Sequence, residues 1–225
     1  MTSYAAPGRP PSGVGRKLVT AFGVSLVLVG LGLLIYCAWQ YFGTNVVSKQ
    51  KQAAVKQSLS KDWGKGVDGN DIGLLRVKRL GDKYEVPIVK GFGDGALAKG
   101  VGWDPKSARP GQIGNFAIAG HRVTHGEPFS QFLKLRRGDK IVVETRRNIF
   151  TYKLRNDGDS ITVDFSVSWP LQQVPEPTMR NERPTKAVIT MLTCSELFHT
   201  RNRNVVIGDL VSTLDKSPGK TATTE

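Results

Sequence analysis

The stretch KAVITMLTC, residues 186–194, is the part of the sequence that most clearly predicts a buried β-strand. Its central residues, 187–193, are almost all apolar or β-branched, and such runs favour strands. The strand ends at Cys194, and the second cysteine of the chain, Cys37, lies in an apolar N-terminal segment. Cys194 therefore has no partner for an intramolecular disulfide in the soluble part, so it is either a buried inert thiol or a reactive one.

Similar short β-prone runs recur on both sides of this strand, and glycine or proline separates most of them. One helical turn or two is expected near Ser130–Leu135, and longer helical patterns are scarce in this part of the chain. A series of short strands at this spacing predicts an all-β barrel or sandwich. The other runs are LLRVKRL, YEVPIVK, NFAIAGH, KIVVET, IFTYKL, SITVDF and NVVIGDLV, within residues 74–211.

Three side chains could form a catalytic group with the thiol. His121 ends the apolar run 116–119, where a side chain is held by a sheet yet faces its rim. Arg201 and Arg203 follow Cys194 closely, and a nearby cation lowers the pKa of a thiol and so increases its reactive thiolate fraction. Because the two arginines are two residues apart, strand alternation does not decide between them. From spacing alone, structural roles for the cysteine and the histidine remain open.

These residues stand in motifs that resemble those of the sortase family. TMLTC, residues 190–194, is similar to the sortase signature TLxTC, with Met191 in the leucine position. Sortases carry an arginine about nine residues later, where Arg203 stands, and a catalytic histidine at an upstream strand end, which GNFAIAGHR (114–122) matches. GVGWDPKSARPGQ (100–112) and LKLRRGDKIVVET (133–145) also resemble sortase sequence, so the similarity covers about residues 72–214.

The resemblance implies an eight-stranded β-barrel and a cysteine transpeptidase. Cys194 would attack the carbonyl after the threonine of an LPxTG-type sorting signal and form a thioester acyl-enzyme. His121 would protonate the leaving amine and later deprotonate the incoming one. Arg203 would hydrogen-bond the substrate backbone or the oxyanion. The acceptor would be an amino group of a peptidoglycan precursor or of a pilin.

Within the family, GHRVTHGEPF (120–129) is most like class E sortases of Gram-positive actinobacteria, which are associated with LAxTG signals. Those proteins usually carry tyrosine where this chain has His125. The resemblance makes His125, Thr193 and His199 candidate substrate-binding residues. No cofactor is expected, and no metal is expected either, since the acids of NDGDS (156–160) are too few for a hard cation.

The N-terminal part predicts a membrane anchor. Residues 18–42 contain no charged residue, are long enough to span a bilayer, and lack the small-residue cleavage site of a signal peptide. Basic residues before this segment favour a cytoplasmic N-terminus, with the rest of the chain outside the cell. The expected organisation is a cytoplasmic tail (1–17), a transmembrane signal anchor (18–42), a partly helical stalk (43–71, with the helix at 46–62), a catalytic domain (72–215) and a disordered tail (216–225).

Two other functions are compatible with parts of the sequence. A different extracytoplasmic cysteine acyltransferase, such as an L,D-transpeptidase, would also use a thiol, although its cysteine normally stands in an SHGC-like context. A non-enzymatic cell-surface domain that binds polyanions would explain the net charge of +13 and the anchor, but not the Cys, His and Arg set. No nucleic-acid partner is expected.

Overall fold

The computed structural model describes residues 13–67, 72–179, 182–194 and 201–216, with Cys194 described by its backbone. The chain divides into two compact units, residues 1–41 and 42–225. The first contains helix α1, Gly13–Ala38, and a π-helical turn at Trp39–Gly43 connects the two. Within the described ranges, Gly15–Ala38 is the one helix long and apolar enough to cross a membrane. The apolar segment 18–42 is therefore helical throughout.

In its described residues, the second unit contains two α-helices and nine strands. Helix α2, Thr44–Gly64, is followed by strands with short turns between them, and α3 is a single turn at Asp94–Leu97. Short 3₁₀ turns also occur, one of them at Phe132–Lys134, where the sequence predicts a turn. The strands are β1 (Gly73–Arg76), β2 (Glu85–Lys90), β3 (Val101–Trp103), β4 (Gly114–Ala119), β5 (Lys140–Glu144), β6 (Asn148–Leu154), β7 (Thr162–Asp164), β8 (Ala187–Cys194) and β9 (Asn202–Asp215).

Eight of the strands close into a barrel, which confirms the predicted fold class. The order is β6, β5, β1, β2, β3, β4, β8 and β9, and β9 pairs back with β6. Most neighbours are antiparallel, but β2 with β3 and β4 with β8 are parallel. The parallel pair of β4 and β8 matters most for function, because parallel strands end at the same rim of a sheet.

The eight strands of the barrel are not the eight runs that the sequence predicts. The run SITVDF forms β7, which lies outside the ring and pairs with the start of β9 at Asn202–Asn204. The eighth strand of the barrel is instead β3, Val101–Trp103, which lies between β2 and β4 and has only three residues with a glycine at its centre. Alternation cannot be recognised over so short a stretch, and Gly102 is required there because a Cβ would lie 2.2 Å from the Gly91 carbonyl oxygen.

Alternating residues of β8 and β9 face two separate cores. Ile189, Met191 and Val206 lie in the large apolar cluster inside the barrel, together with Phe116 and Tyr152. Met191 is fully buried there, so the departure from TLxTC replaces one core side chain with another of similar volume.

The opposite faces of β8 and β9 pack against the segment that connects β6 to β8. A smaller cluster there holds Val205 and Ile207 of β9 with Trp169, and Leu192 of β8 packs against it. This outer core gives the barrel a second layer beside the ends of β8 and β9.

Helix α2 packs against the barrel, and its sequence forms a helix as predicted for residues 46–62. Leu59 is buried on its inward face, and Lys56 donates to the Glu85 carbonyl oxygen of β2 at 3.2 Å. The helix ends at Gly64, and Gly66 follows two residues later with a φ of 73°, in the left-handed region that glycine adopts without strain. The segment expected to be a stalk thus belongs to the same compact unit as the barrel.

Candidate active site

The strands that carry the predicted cysteine and histidine end side by side. In the parallel register of β4 and β8, Ala119 is the partner of Leu192. His121 and Cys194 each follow two residues after this pair, so their backbones leave the barrel at the same rim. The two residues are far apart in sequence, and the parallel pairing is what places their backbones together.

Two hydrogen bonds extend this pairing beyond the last residues of β4. The Gly120 N–H donates to the Leu192 carbonyl oxygen at 3.1 Å, and the Thr193 hydroxyl donates to the Gly120 carbonyl oxygen at 2.9 Å. Thr193 is only 2% exposed, so its hydroxyl serves a buried link between the strands. This link fixes the residue before His121 to the residue before Cys194.

The pairing of β8 with β9 distinguishes between the two arginines. Arg203 is the register partner of Cys194 and lines the cleft at this rim. Arg201 lies two residues earlier, where its Nε donates to an Asp164 carboxylate oxygen at 3.2 Å and its side chain is mostly exposed. Of the two arginines that strand alternation alone leaves open, the structure brings Arg203, the one indicated by the family resemblance, to the rim beside Cys194.

A cleft of about 570 Å³ opens at this rim. His121, His125, Thr193 and Arg203 all contribute to its lining. One wall comes from the β6–β8 connection, which sequence patterns do not mark as functional because it contains neither a family motif nor a cluster of reactive side chains. The apolar side chains of the lining are Phe92, Leu97, Ala119, Val123, Val163, Phe165, Val167, Leu171 and Leu192.

The two histidines of this loop are in direct contact. The rings of His121 and His125 are stacked with their centroids 4.5 Å apart and an angle of 23° between their planes. Nδ1 of His125 lies 2.9 Å from the hydroxyl oxygen of Thr124. His125 therefore lines the cleft and also contacts the ring of His121.

Hydrogen bonds hold both ends of the loop that carries these rings. The Phe129 N–H donates to the His121 carbonyl oxygen at 3.0 Å, and the Tyr84 hydroxyl donates to the Pro128 carbonyl oxygen at 2.8 Å. Burial raises the pKa of Tyr84 far above its usual value, so this hydroxyl stays protonated and continues to donate at any physiological pH. The loop is thus attached on both sides of the histidine pair.

A carboxylate at the mouth of the cleft remains ionised. Hydrogen bonds from the Ser166 hydroxyl and N–H, and the nearby Arg201 guanidinium, lower the pKa of Asp164. The Ser166 hydroxyl oxygen lies 2.6 Å from the carboxylate. Asp164 therefore stays ionised at neutral pH and forms an ion pair with Arg201 on this side of the mouth.

Other residues singled out by the sequence lie away from this cleft or outside the described residues. His199 lies in the undescribed range 195–200. Asp157 accepts from the Arg137 N–H at 2.7 Å, and Asp159 lies 3.7 Å from Arg136, so NDGDS has ordinary turn contacts. In the described ranges, no three His, Cys, Asp or Glu side chains are grouped closely enough to hold a metal ion.

Comparison with known proteins identifies the family. The sequence profile of the Sortase domain matches residues 75–211, which include the cysteine, the histidine and the arginine at this rim. The chain belongs to the sortase family. Sortases are cysteine transpeptidases that anchor proteins to the cell wall. The family match favours this assignment over the L,D-transpeptidase alternative.

Curated relatives and solved structures point to the same branch of the family. Sortase SrtE1 of Streptomyces coelicolor is 31% identical over 214 residues, which span 89% of this chain but only 59% of that protein. Sortase SrtE2 of the same organism is 28% identical and is covered to 91% of its length. The structure of sortase E from Streptomyces avermitilis is 33% identical to this chain, with a TM-score of 0.58. The match covers 69% of this chain and 97% of the sortase E chain.

A solved relative also contains a peptide. The crystal structure of sortase E1 from Streptomyces coelicolor with a tripeptide in the active site is 32% identical to this chain, with a TM-score of 0.54. The match covers 68% of this chain and 94% of the sortase E1 chain. The sortase domain described above therefore has the same fold as a relative whose active site holds a short peptide.

Proposed function

We propose that this chain is a membrane-anchored transpeptidase that cleaves an LAxTG- or LPxTG-type sorting signal after threonine. The cleaved protein would be held on Cys194 as a thioester and then transferred to an amine, either on a peptidoglycan precursor of the cell wall or on a pilin. The single observation that carries the proposal is the register of β8, which pairs with β4 in parallel and with β9 at Cys194 and Arg203. This register brings the backbones of a thiol, an imidazole and a guanidinium residue to one rim.

The proposed reaction has two steps, acylation and transfer, in which Cys194 and His121 both take part. The Cys194 thiolate forms a bond to the threonine carbonyl carbon, and the bond from that carbon to the glycine nitrogen breaks. His121, as imidazolium, gives its proton to the departing glycine amine. The incoming amine then loses a proton to His121 and displaces the thiolate, so the enzyme returns to its starting state.

Strand alternation supports the role of Arg203 in this scheme. Position 203 shares a face of β9 with Val205 and Ile207 of the outer core, and position 194 shares a face of β8 with Leu192. Both positions are thus predicted to belong to the side of the sheet on which the cleft opens. A guanidinium at this place is always charged and can donate to a substrate carbonyl or to the developing oxyanion.

The shape of the cleft fits an extended peptide with small apolar side chains. Its walls are mainly aliphatic and aromatic, and its polar groups include the two histidines and Arg203 at the rim as well as Asp94 and Asp164. Because His125 replaces the usual class E tyrosine and contacts His121, we propose that it borders the pocket for the second residue of the signal. The Thr193 hydroxyl already donates to the Gly120 carbonyl oxygen, so Thr193 would contact the substrate through van der Waals packing and not through a hydrogen bond. His199 stays a proposed substrate contact.

For the organisation of the chain, we propose a single-pass membrane protein with residues 1–17 in the cytoplasm and the sortase domain outside. The apolar helix Gly15–Ala38 supports the anchor at 18–42. Residues 72–215 would form the catalytic domain, residues 43–71 would link it to the anchor, and residues 216–225 would remain a tail. Protease added outside intact cells should remove the sortase domain but leave an N-terminal epitope tag intact, and the reverse pattern would contradict this orientation.

Peptide turnover tests the function directly. The full-length protein in detergent micelles should cleave fluorogenic LAxTG and LPxTG peptides between threonine and glycine and join the threonine end to an added amine. Mass spectrometry should show a transient thioester adduct that hydroxylamine removes. Absence of cleavage with both peptides, while Cys194 is reduced and accessible to alkylation, would contradict the transpeptidase proposal.

The Arg203→Ala variant should lower kcat/KM for the peptide by about 10²–10³-fold, which is typical for loss of one oxyanion donor. Arg201→Ala is the matched control, since Arg201 pairs with Asp164 at the exposed edge. Its kcat/KM should stay within about threefold of the wild-type value. Equal losses in the two variants would show that Arg203 has no special role.

A second cleft supports polyanion binding as an additional function. It has a volume of about 1100 Å³ and lies on the other side of α3, since Ala96 lines this cleft while Asp94 and Leu97 line the first. The described residues around it include no acidic side chain but five basic ones: Lys90, Lys99, Arg109, Arg146 and Arg147. Such a cleft attracts phosphate-bearing polymers of the cell surface.

Reversal of two charges tests this second function. Lys90→Glu with Lys99→Glu should weaken binding of long-chain inorganic polyphosphate by about tenfold or more at low ionic strength, and salt should reduce the difference. As a control with similar charge change, Lys140→Glu with Lys153→Glu alters two exposed lysines that face each other across β5 and β6. Equal weakening in both double variants would indicate general charge attraction and contradict a site in the cleft.

A further inference from the structure

Helix α2 presents polar side chains to the loop that carries the two histidines. Asn45, Ser48 and Gln52 are spaced by three and four residues and therefore lie on one face of the helix. Ser48 is 1% exposed and Gln52 is 9% exposed. Buried polar groups lower stability unless they are hydrogen-bonded, so a helix face with this composition is suited to contact backbone groups and not an apolar core.

The contact partner is a strained part of the loop. His125, Gly126 and Glu127 have φ values of 56°, 81° and 51°, so three successive residues are left-handed and two of them are not glycine. Such a conformation is unfavourable for residues with a Cβ and persists only when surrounding contacts hold it. The ends of the loop are held by contacts of His121, Pro128 and Phe129. Within the loop the Glu127 N–H donates to the Thr124 carbonyl oxygen at 3.1 Å, and the Gly126 N–H finds its acceptor on α2.

Asn45 supplies the contacts at the centre of the loop. Its side-chain oxygen accepts a hydrogen bond from the Gly126 N–H at 2.8 Å, and its amide nitrogen donates to a carboxylate oxygen of Glu127. Gln52 reaches the His125 carbonyl oxygen at 3.5 Å. The approach is so close that a Cβ on Gly126 would lie 2.6 Å from the Gln52 side-chain nitrogen. The Asn45 side chain thus forms hydrogen bonds with two consecutive left-handed residues, Gly126 and Glu127.

The conformation at Gly126 determines where the neighbouring ring lies. His125 directly precedes Gly126, and its ring is stacked on that of His121. If the loop relaxed to right-handed φ values, the His125 ring would move, and both the cleft wall and the support for the His121 ring would change. Displacement of a catalytic group by about 1 Å can lower a rate by about 10²-fold.

We propose that Asn45 is a positioning residue, and that through it α2 holds the loop 121–127 in its catalytically competent conformation. This inference rests on the proposed transpeptidase function. On this proposal, helix α2, which follows the predicted membrane segment, contributes to the active site. It does so by holding His125 in place and, through the stacked rings, His121.

A set of four variants of the full-length protein in detergent tests the contact. Asn45→Ala should reduce kcat/KM for the sorting-signal peptide by about tenfold or more. Asn45→Asp should be impaired at least as strongly, because its carboxylate faces that of Glu127. Glu127→Gln alone keeps an acceptor for Asn45 and should have little effect. The double variant N45D/E127Q restores a donor and an acceptor in exchanged positions, and should recover to within about threefold of wild type.

A second readout does not depend on turnover. Hydrogen exchange of the Gly126 amide should be at least about tenfold faster in Asn45→Ala than in wild type, since its acceptor is removed. Gln50→Ala, an exposed polar position on the same helix, should change neither the exchange rate nor kcat/KM. Thermal melting of every variant identifies any that fail to fold, and N45D/E127Q then remains as the informative comparison.

The outcomes separate the two proposals. Unchanged Gly126 exchange in Asn45→Ala, or no recovery in N45D/E127Q relative to Asn45→Asp, would overturn the positioning role. Faster exchange with unchanged kcat/KM would overturn it as well, because the loop would then be held without consequence for catalysis. If wild type does not cleave the peptides, the proposed function fails, and faster Gly126 exchange in Asn45→Ala would still support the contact itself.

Discussion

The Cys194→Ala variant is expected to lose peptide cleavage and transfer by at least about 10⁴-fold, the largest effect of any single substitution in this chain. Cys194 would form the bond to the acyl group, so without its sulfur no covalent intermediate can arise. Cleavage of a fluorogenic sorting-signal peptide measures the loss. Mass spectrometry should find the acyl-enzyme adduct in wild type and not in the variant.

Cys37→Ala is the matched control for this experiment. Cys37 is the other cysteine of the chain and lies exposed on α1, within the segment that is apolar enough to cross a membrane. Its removal should leave turnover unchanged and leaves Cys194 as the one thiol of the whole chain, so that any alkylation then reports on Cys194. If Cys194→Ala kept more than about 1% of wild-type turnover, the reaction would not pass through this thiol.

The second large effect is expected at His121. His121→Ala should lower kcat/KM by about 10²–10⁴-fold, the range for loss of a general acid and base. Both half-reactions should slow, because the same imidazole would protonate the leaving amine and deprotonate the incoming one. Single-turnover experiments with and without added amine measure the two steps separately.

Added imidazole offers a specific check of this role. The substitution to alanine leaves space at the rim, and millimolar imidazole should restore part of the lost rate in His121→Ala but none in Cys194→Ala. His125→Tyr is the comparison variant, since it keeps an aromatic ring at the stacked position while removing the second imidazole. It should retain far more activity than His121→Ala and can shift the preference between LAxTG and LPxTG peptides. Comparable losses in the two variants would contradict the assignment of His121.

The sequence predicts much of the barrel because most of its strands have readable patterns. The runs that became β4 and β8 are long, apolar and bounded by turn residues, and their ends correctly mark the rim of the barrel. The short β3 has too few residues for a periodic signal. The run SITVDF looks like any other strand, and its place outside the ring depends on tertiary pairing with β9.

The candidate site follows from the sequence only in part. Family motifs indicate Cys194 and His121, but the parallel pairing that places their backbones at one rim is a property of the whole sheet. Spacing left Arg201 and Arg203 equivalent, and the register of β9 distinguishes them. The contact of Asn45 with Gly126 was not foreseen, because polar residues on a helix next to an apolar segment are typical of a solvent-exposed spacer.

The docking of α2 also bears on how this enzyme is best prepared for biochemistry. The recognisable domain begins at residue 75, so a shortened protein designed from it would lack Asn45 and Gln52. Even a fragment that begins at Gly73, and so keeps every strand of the barrel and the nucleophile, would have a histidine loop that is no longer supported at Gly126. Assays on the fragment would then underestimate the activity of the full-length protein. Any preference of the fragment among peptides would reflect a cleft whose wall at His125 has moved.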